Sequence, residues 1–261
     1  MRFGTSTWFF QEYSVTEALT RISECGFALA EIWMEHLWRS GQTIEEIIRH
    51  AEKLNMELTL HSTSYDVNIT STNPGIRKES LRQVEEGIVL AKRLGVTNMT
   101  IHPGHLSSSK GNVEDCWNHL RETLVLIDKW ARREDVRIGI EAMEKRPKEI
   151  YMLPDHIRRM LSEGWSHLGL TLDIAHTFTH TNPVEYIQQL DPQWITHVHL
   201  SDGSRKTTHL PLGKGEIDID AALQALNRVY DGTVVLEGIV PLQGQESVCS
   251  NKAYLQRTGW I

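Results

Sequence analysis

Six side chains able to bind a metal ion or move a proton, His61, His102, Glu141, Asp173, His199 and Glu237, each close a short apolar, β-branched run of the chain. Glu31 lies inside a further such run. If these runs are the parallel strands of one barrel, their carboxyl ends converge on a small volume at its mouth, and the six groups are not a solvated face. Carboxylates and imidazoles gathered there repel one another or lose hydration unless a cation neutralises them. Carboxylate oxygens mixed with imidazole nitrogens suit Mn2+ or Zn2+, with Co2+, Fe2+ or Mg2+ as alternatives. The set contains no cysteine, which fits a catalytic ion with exchangeable positions better than a closed structural zinc.

Glu141, Asp173, His199 and Glu237 are therefore the expected metal ligands, and His61, His102, His176 and His209 are expected as further ligands or as groups touching the bound ion. One histidine at a strand end is more often a hydrogen-bonded core residue; the convergence is what makes these candidates. Glu31 is either part of the cluster or a buried ion-pair partner at the mouth. His197 precedes His199 by two residues, so on a strand it shares the inward face one layer deeper, in a structural role. Trp8, Phe9, Phe10, His36 and Trp38 fall in the loops after the first two strands, where they either wall a pocket or simply pack. Trp8 is the candidate substrate contact among them. His105 and His180 read as surface loop residues.

Positioning these groups requires eight strands. The segments Phe3 to Thr7, Ala28 to Met34, Glu57 to His61, Asn98 to His102, Arg137 to Glu141, Gly169 to Asp173, Ile195 to Leu200 and Val234 to Glu237 read as strands with apolar interiors. Helical patterns separate them, at Val15 to Cys25, Ile44 to Leu54, Arg77 to Leu94, Val113 to Arg133, Pro154 to Glu163, Pro183 to Leu190 and Ile219 to Val229. Ser14 is placed to cap the first helix and Gly26 to end it, while Pro183 after Asn182 suits a first helical turn. Strands alternating with helices predict an α/β fold, a (β/α)8 TIM barrel. No glycine-rich dinucleotide loop follows any strand, which disfavours an open doubly wound sheet. The chain has 261 residues, against ~250 for one such barrel, so residues 1–261 are expected to form a single TIM-barrel domain.

Composition narrows the function. The 27 basic and 34 acidic residues give a net charge of −7, which argues against a broad nucleic-acid surface. No apolar run approaches the ~20 residues of a membrane span, and the start of the chain enters a strand without a signal-peptide pattern, so a cytoplasmic location and no membrane partner are expected. Cys25, Cys116 and Cys249 are odd in number and far apart, and are expected to be buried free thiols.

The segments Thr100-Ile101-His102-Pro103-Gly104, Gly139-Ile140-Glu141, Thr171-Leu172-Asp173-Ile174-Ala175-His176, His197-Val198-His199-Leu200-Ser201-Asp202-Gly203, His209-Leu210-Pro211-Leu212-Gly213-Lys214-Gly215 and Val234-Val235-Leu236-Glu237 resemble, in order and along nearly the whole chain, the xylose isomerase-like TIM-barrel superfamily. That resemblance implies one of two activities. In the ketose 3-epimerase branch one ion is held at positions matching Glu141, Asp173, His199 and Glu237, and substrate is contacted at positions matching His176 and Arg205. In the endonuclease IV branch, which cleaves abasic DNA, further ligands match His61, His102 and His209. That branch also has an aspartate where this chain has Thr207, and a DNA-contacting loop that Tyr65 and Asn68 resemble.

The expected function is a divalent-metal-dependent isomerase or epimerase of a small sugar or sugar phosphate acting through an enediolate. Glu141, Glu237 and His176 are its candidate catalytic groups, and Arg205, His61, His102 and Trp8 its candidate substrate contacts. Hydrolysis at abasic DNA is the alternative, disfavoured by Thr207 and by the charge. A related lyase, or a barrel that binds metal without catalysis, stays open, as does a homo-oligomer.

Overall fold

The computed structural model describes residues 1–261. Eight strands, β1 (Arg2–Ser6), β2 (Leu29–Trp33), β3 (Glu57–His61), β4 (Asn98–Ile101), β5 (Arg137–Glu141), β6 (Leu168–Asp173), β7 (Ile195–Leu200) and β8 (Thr233–Leu236), form a closed barrel in chain order. Every pairing is parallel, and β8 returns to β1 in the register Thr5 opposite Leu236. Closure removes both sheet edges. The helices are α1 (Val15–Glu24), α2 (Met34–Ser40), α3 (Ile44–Lys53), α4 (Pro74–Arg93), α5 (Val113–Glu134), α6 (Pro154–Leu161), α7 (Ile174–Phe178), α8 (Pro183–Gln188), α9 (Ile219–Asn227) and α10 (Gly244–Arg257).

The local chemistry explains where the helices begin. Ser14 and Glu17 form a reciprocal capping box on α1, as Thr43 and Glu46 do on α3, while Asn73 caps α4 ahead of Pro74. Val15, Ala18, Leu19 and Ile22 then fall on one buried face of α1, against the outside of the barrel. The sequence-based strands and helices agree with these elements to within about three residues at each end. Three helices are additional to that reading. Of these, α2 carries His36 and Trp38, which therefore do not lie in a loop. The His36 ring bonds to the Tyr13 carbonyl at 2.8 Å, and Trp38 faces solvent at 45% exposure.

Two further expectations are corrected. The barrel interior is not apolar: Glu31, Thr59, Thr100, Thr171 and His197 lie buried beneath the mouth. Each finds a polar partner, Thr100 in Thr171 at 2.9 Å, Thr59 in Glu31 at 3.4 Å and His197 in Thr233 at 2.7 Å. Cys25 and Cys249 are not free thiols but form a disulfide across 224 residues of sequence, and only Cys116 stays free and buried. The physical reason is closure, which sets the first and last helices, α1 and α10, side by side.

Candidate active site and metal centre

The strands deliver the expected groups to the carboxyl mouth. Alternation of side chains puts Glu141 above Gly139, Asp173 above Thr171 and His199 above His197, all facing inward. Glu237 is the first residue past β8 and His102 the first past β4. Asp173 also caps α7 through His176 N–H at 2.7 Å, which fixes the turn that brings the His176 ring back over the site. His209 is delivered by the loop after β7 at a φ of 60°. That loop is organised by buried Asp202, whose carboxylate accepts backbone N–H groups of Gly203, Gly213, Gly215 and Ile217 at 2.8–3.1 Å.

The ligand atoms of Glu141, Asp173, His199 and Glu237 all lie within 4.8 Å of one another. So do those of His61, His102 and Glu141, and those of Asp173, His176 and His209. Two ligand bonds of ~2.0–2.6 Å span such separations, so each group fits one divalent ion. Asp173 Oδ2 is buried without a hydrogen-bond partner, as a ligand atom awaiting a cation would be. Glu141 belongs to two of the groups: its carboxylate meets His102 Nε2 at 3.0 Å, His199 Nδ1 at 3.1 Å and His61 Nε2 at 3.6 Å.

Charge is distributed unevenly over these groups. Burial drives the Glu141 carboxyl upward, but the charge of His199 and hydrogen bonds from His102, His199 and His61 outweigh it and hold it well below the usual carboxylate range. Glu237 is pushed up to about 8, by burial first and then, against the pull of His199, by the charges of Glu141 and Asp173. Burial opposes charge on His61, His176 and His199 too, yet the surrounding carboxylates raise the first two to about 9 and the third well above its ordinary value. His209 is lowered by burial. Two carboxylates at one mouth are thus pulled in opposite directions, Glu141 down and Glu237 up.

A cavity of about 480 Å³ opens over the cluster. Trp8, Phe9, Trp33 and Tyr65 line one side, and Glu144, Arg146 and Glu149 another. Trp33 stacks on the His61 ring at 4.2 Å between centroids, and Trp8 Nε1 donates to Tyr65 Oη at 3.0 Å. Of the expected groups, the structure brings His61, His102, Glu141, His176, His209, Glu237 and Trp8 to this cavity, with Asp173 and His199 beneath it. Phe10 and Trp38 do not reach it.

Arg205 does not line it either; its guanidinium donates to the Phe178 carbonyl and covers the Phe178 ring at 4.3 Å. His105 and His180 are half-buried rather than surface residues, and His105 lines the cavity. Asn68 is committed to the backbone, bonding Thr70 in its own loop and His105 in the loop after β4.

Sequence reasoning missed Trp33, Glu144, Arg146 and Glu149. Trp33 is the last residue of β2 and was hidden by extending that strand to Met34. Glu149, pushed up to about 7 by burial and by Glu144, is presented by an antiparallel bridge to His105 that no local pattern announces.

A closed parallel barrel with ionisable side chains gathered at the carboxyl ends of its strands defines a (β/α)8 protein built in the manner of the barrel enzymes. The chain belongs to the xylose isomerase-like TIM-barrel family, whose profile matches residues 19–253. It is similar to an uncharacterised protein of Methanocaldococcus jannaschii, 28% identical over 244 residues and covering 91% of this chain and 83% of that protein. It is also similar to a probable endonuclease 4 of Petrotoga mobilis, 27% identical over 183 residues, with 63% of each chain covered. Among solved structures, a D-tagatose 3-epimerase-like protein superposes with a TM-score of 0.88 at 26% identity, covering 98% of this chain and 96% of that one. The IOLI protein with a bound zinc atom superposes at 0.85 and 17% identity, covering 100% and 99%, a likeness of fold alone. No helix is long and apolar enough to cross a membrane.

Proposed function

We propose that the protein is a divalent-metal-dependent isomerase or epimerase of a small sugar, with Glu141, Asp173, His199 and Glu237 holding the ion. The observation that carries this reading is geometric: the ligand atoms of Glu141, Asp173, His199 and Glu237 lie within 4.8 Å of one another at the floor of a cavity of sugar size with an aromatic wall. The similarity to a D-tagatose 3-epimerase-like protein supports it. A bound divalent ion supplies Lewis-acid polarisation of a substrate carbonyl.

The chain's own residues supply the rest. Glu141 and Glu237 face each other across the mouth, so one carboxylate takes the proton from the substrate carbon beside the carbonyl while the other, having taken up a proton from solvent, returns one to the opposite face of the resulting enediolate. His176, tethered by Nδ1 to the Ala142 carbonyl at 3.0 Å, presents Nε2 to a hydroxyl. Trp8 and Trp33 offer apolar faces to the sugar ring, and His61 and His102 complete the floor. Arg146 stands at the wall paired to Glu144 at 2.6 Å and takes the place of the substrate contact expected of Arg205.

Hydrolysis at abasic DNA keeps one specific support, the three adjacent donor groups able to hold clustered ions. Against it, exposed Thr207 offers no carboxylate, and the Asn68 amide is held by the His105 backbone of the loop after β4. The deciding experiment incubates the zinc- or manganese-loaded protein in D2O with a panel of ketoses and ketose phosphates, and separately with abasic duplex DNA. Metal-dependent deuterium exchange at a substrate C–H, with no incision at moderate salt, is the expected outcome. Efficient, chelator-sensitive nicking that disappears in His102→Ala would overturn the sugar reading.

A further inference from the structure

Beneath the mouth, buried Glu31, His197 and Thr233, which the proposed chemistry does not use, form a chain that ends on the ligand His199. Glu31 Oε1 lies 3.2 Å from His199 Nε2, and Glu31 Oε2 lies 3.1 Å from His197 Nε2. His197 Nδ1 in turn meets Thr233 Oγ1 at 2.7 Å. These donors also lie within ligand distance of one another, but Glu31, His197 and His199 are wholly buried and Glu31 does not border the cavity, so the cluster has no entry path for an ion of its own.

We propose that Glu31, backed by His197 and Thr233, is a positioning residue that fixes the proton of His199 on Nε2 and so keeps Nδ1 as the metal-binding nitrogen. This rests on the metal reading of the site above it. Glu31 Oε1, His197 Nε2 and His199 Nε2 are buried and have no other polar partner, so the two rings satisfy them only by turning an N–H from each Nε2 toward the carboxylate, which accepts. The lone pair of a neutral His199 ring then sits on Nδ1, the nitrogen that faces Glu141 Oε1 at 3.1 Å and Glu237 Oε2 at 3.5 Å. The Thr233 hydroxyl either donates or accepts, so His197 holds Glu31 from below without imposing a second charge. A carboxylate behind a metal-bound imidazole also makes the ring a stronger donor.

The test uses the full chain labelled with 15N-histidine and loaded with Zn2+, a diamagnetic ion. The expected NMR spectrum shows His199 with a zinc-shifted, unprotonated Nδ1 and a protonated Nε2 whose proton is displaced downfield by the carboxylate. In calorimetry Glu31→Gln, which keeps the shape but offers one acceptor oxygen to two imidazoles, should weaken zinc binding by ~10- to 100-fold, with Glu31→Asp recovering part of the loss. Zinc on Nε2 of His199, or a Glu31→Gln affinity within about threefold of the parent, overturns the proposal and leaves the metal site standing. Absence of zinc binding to the parent protein overturns both. If Glu31→Gln does not fold, the spectrum of the parent protein decides alone.

Discussion

Metal binding to this site should be a proton-release reaction whose size follows from the geometry. Of the four expected ligands, His199 is held protonated well above its ordinary range and Glu237 up to about 8, whereas Glu141 is ionised. A Zn2+ ion entering at pH 7 must therefore expel about two protons, one from His199 Nδ1 and one from Glu237. Each proton contributes tenfold per pH unit, or ~1.4 kcal/mol. Apparent zinc affinity should then rise about 100-fold between pH 6 and 7, and flatten to about tenfold per pH unit above pH 8, where Glu237 ionises unaided. Calorimetry at pH 7 in buffers of different ionisation enthalpy reads the proton count directly. A count below one, or an affinity independent of pH, would refute the reasoning, because the carboxylates and imidazoles would then not be sharing protons in the metal-free state.

The same groups govern stability without metal. His61 and His176 at about 9 and Glu237 at about 8 are all raised, so their contribution is complete below the ordinary values of 6.5 and 4.5 and is lost as pH climbs through 8 and 9. The melting temperature of chelated protein should fall from pH 7 to pH 9.5, and added zinc should reduce that fall. Glu141→Gln should lower turnover by ~100-fold or more, with the circular dichroism of the fold retained, since it removes the charge shared by two donor groups. Gly139→Ala places a Cβ 2.1 Å from Thr171 Oγ1 and 3.1 Å from Thr171 N, and overpacking of that kind should cost ~1–3 kcal/mol in urea denaturation. Reducing the Cys25–Cys249 bond releases a loop of 224 residues' separation, and on chain-entropy grounds should cost at most ~5 kcal/mol, read as a lower melting temperature in reductant.

The fold and the cluster of ionisable groups at its mouth were legible for the same reason. A parallel barrel forces strand ends together, so reading the ends of the runs singled out His61, His102, Glu141, Asp173, His199 and Glu237, although β4 and β8 stop one residue short of His102 and Glu237 and β7 runs one residue past His199. The helix caps at Ser14 and Thr43 are local chemistry and need no tertiary knowledge. The remainder depends on closure or on loop paths. Cys25 and Cys249 become neighbours only when β8 meets β1. Thr100, Thr171 and Glu31 are stable inside the barrel only because partners from other strands reach them. Arg205 follows its strand at the family's spacing, yet the turn it occupies folds its guanidinium onto Phe178 and away from the cavity. Glu149 lies eight positions beyond Glu141, and only the bridge to His105 brings it to the wall.

The bond between α1 and α10 also sets how the protein would bear a mechanical load. With the disulfide closed, tension applied to Met1 and Ile261 passes through Cys25 and Cys249 and bypasses everything between them. The extensible tails are the 24 residues before Cys25 and the 12 after Cys249, roughly 130 Å of chain at ~3.6 Å per residue. Within those tails lies β1, so stretching would draw one stave out of the barrel along its seams with β2 and β8 while the other seven strands stay within an untensioned covalent ring. In the reduced protein the same force would run through all eight strands and release several times that length.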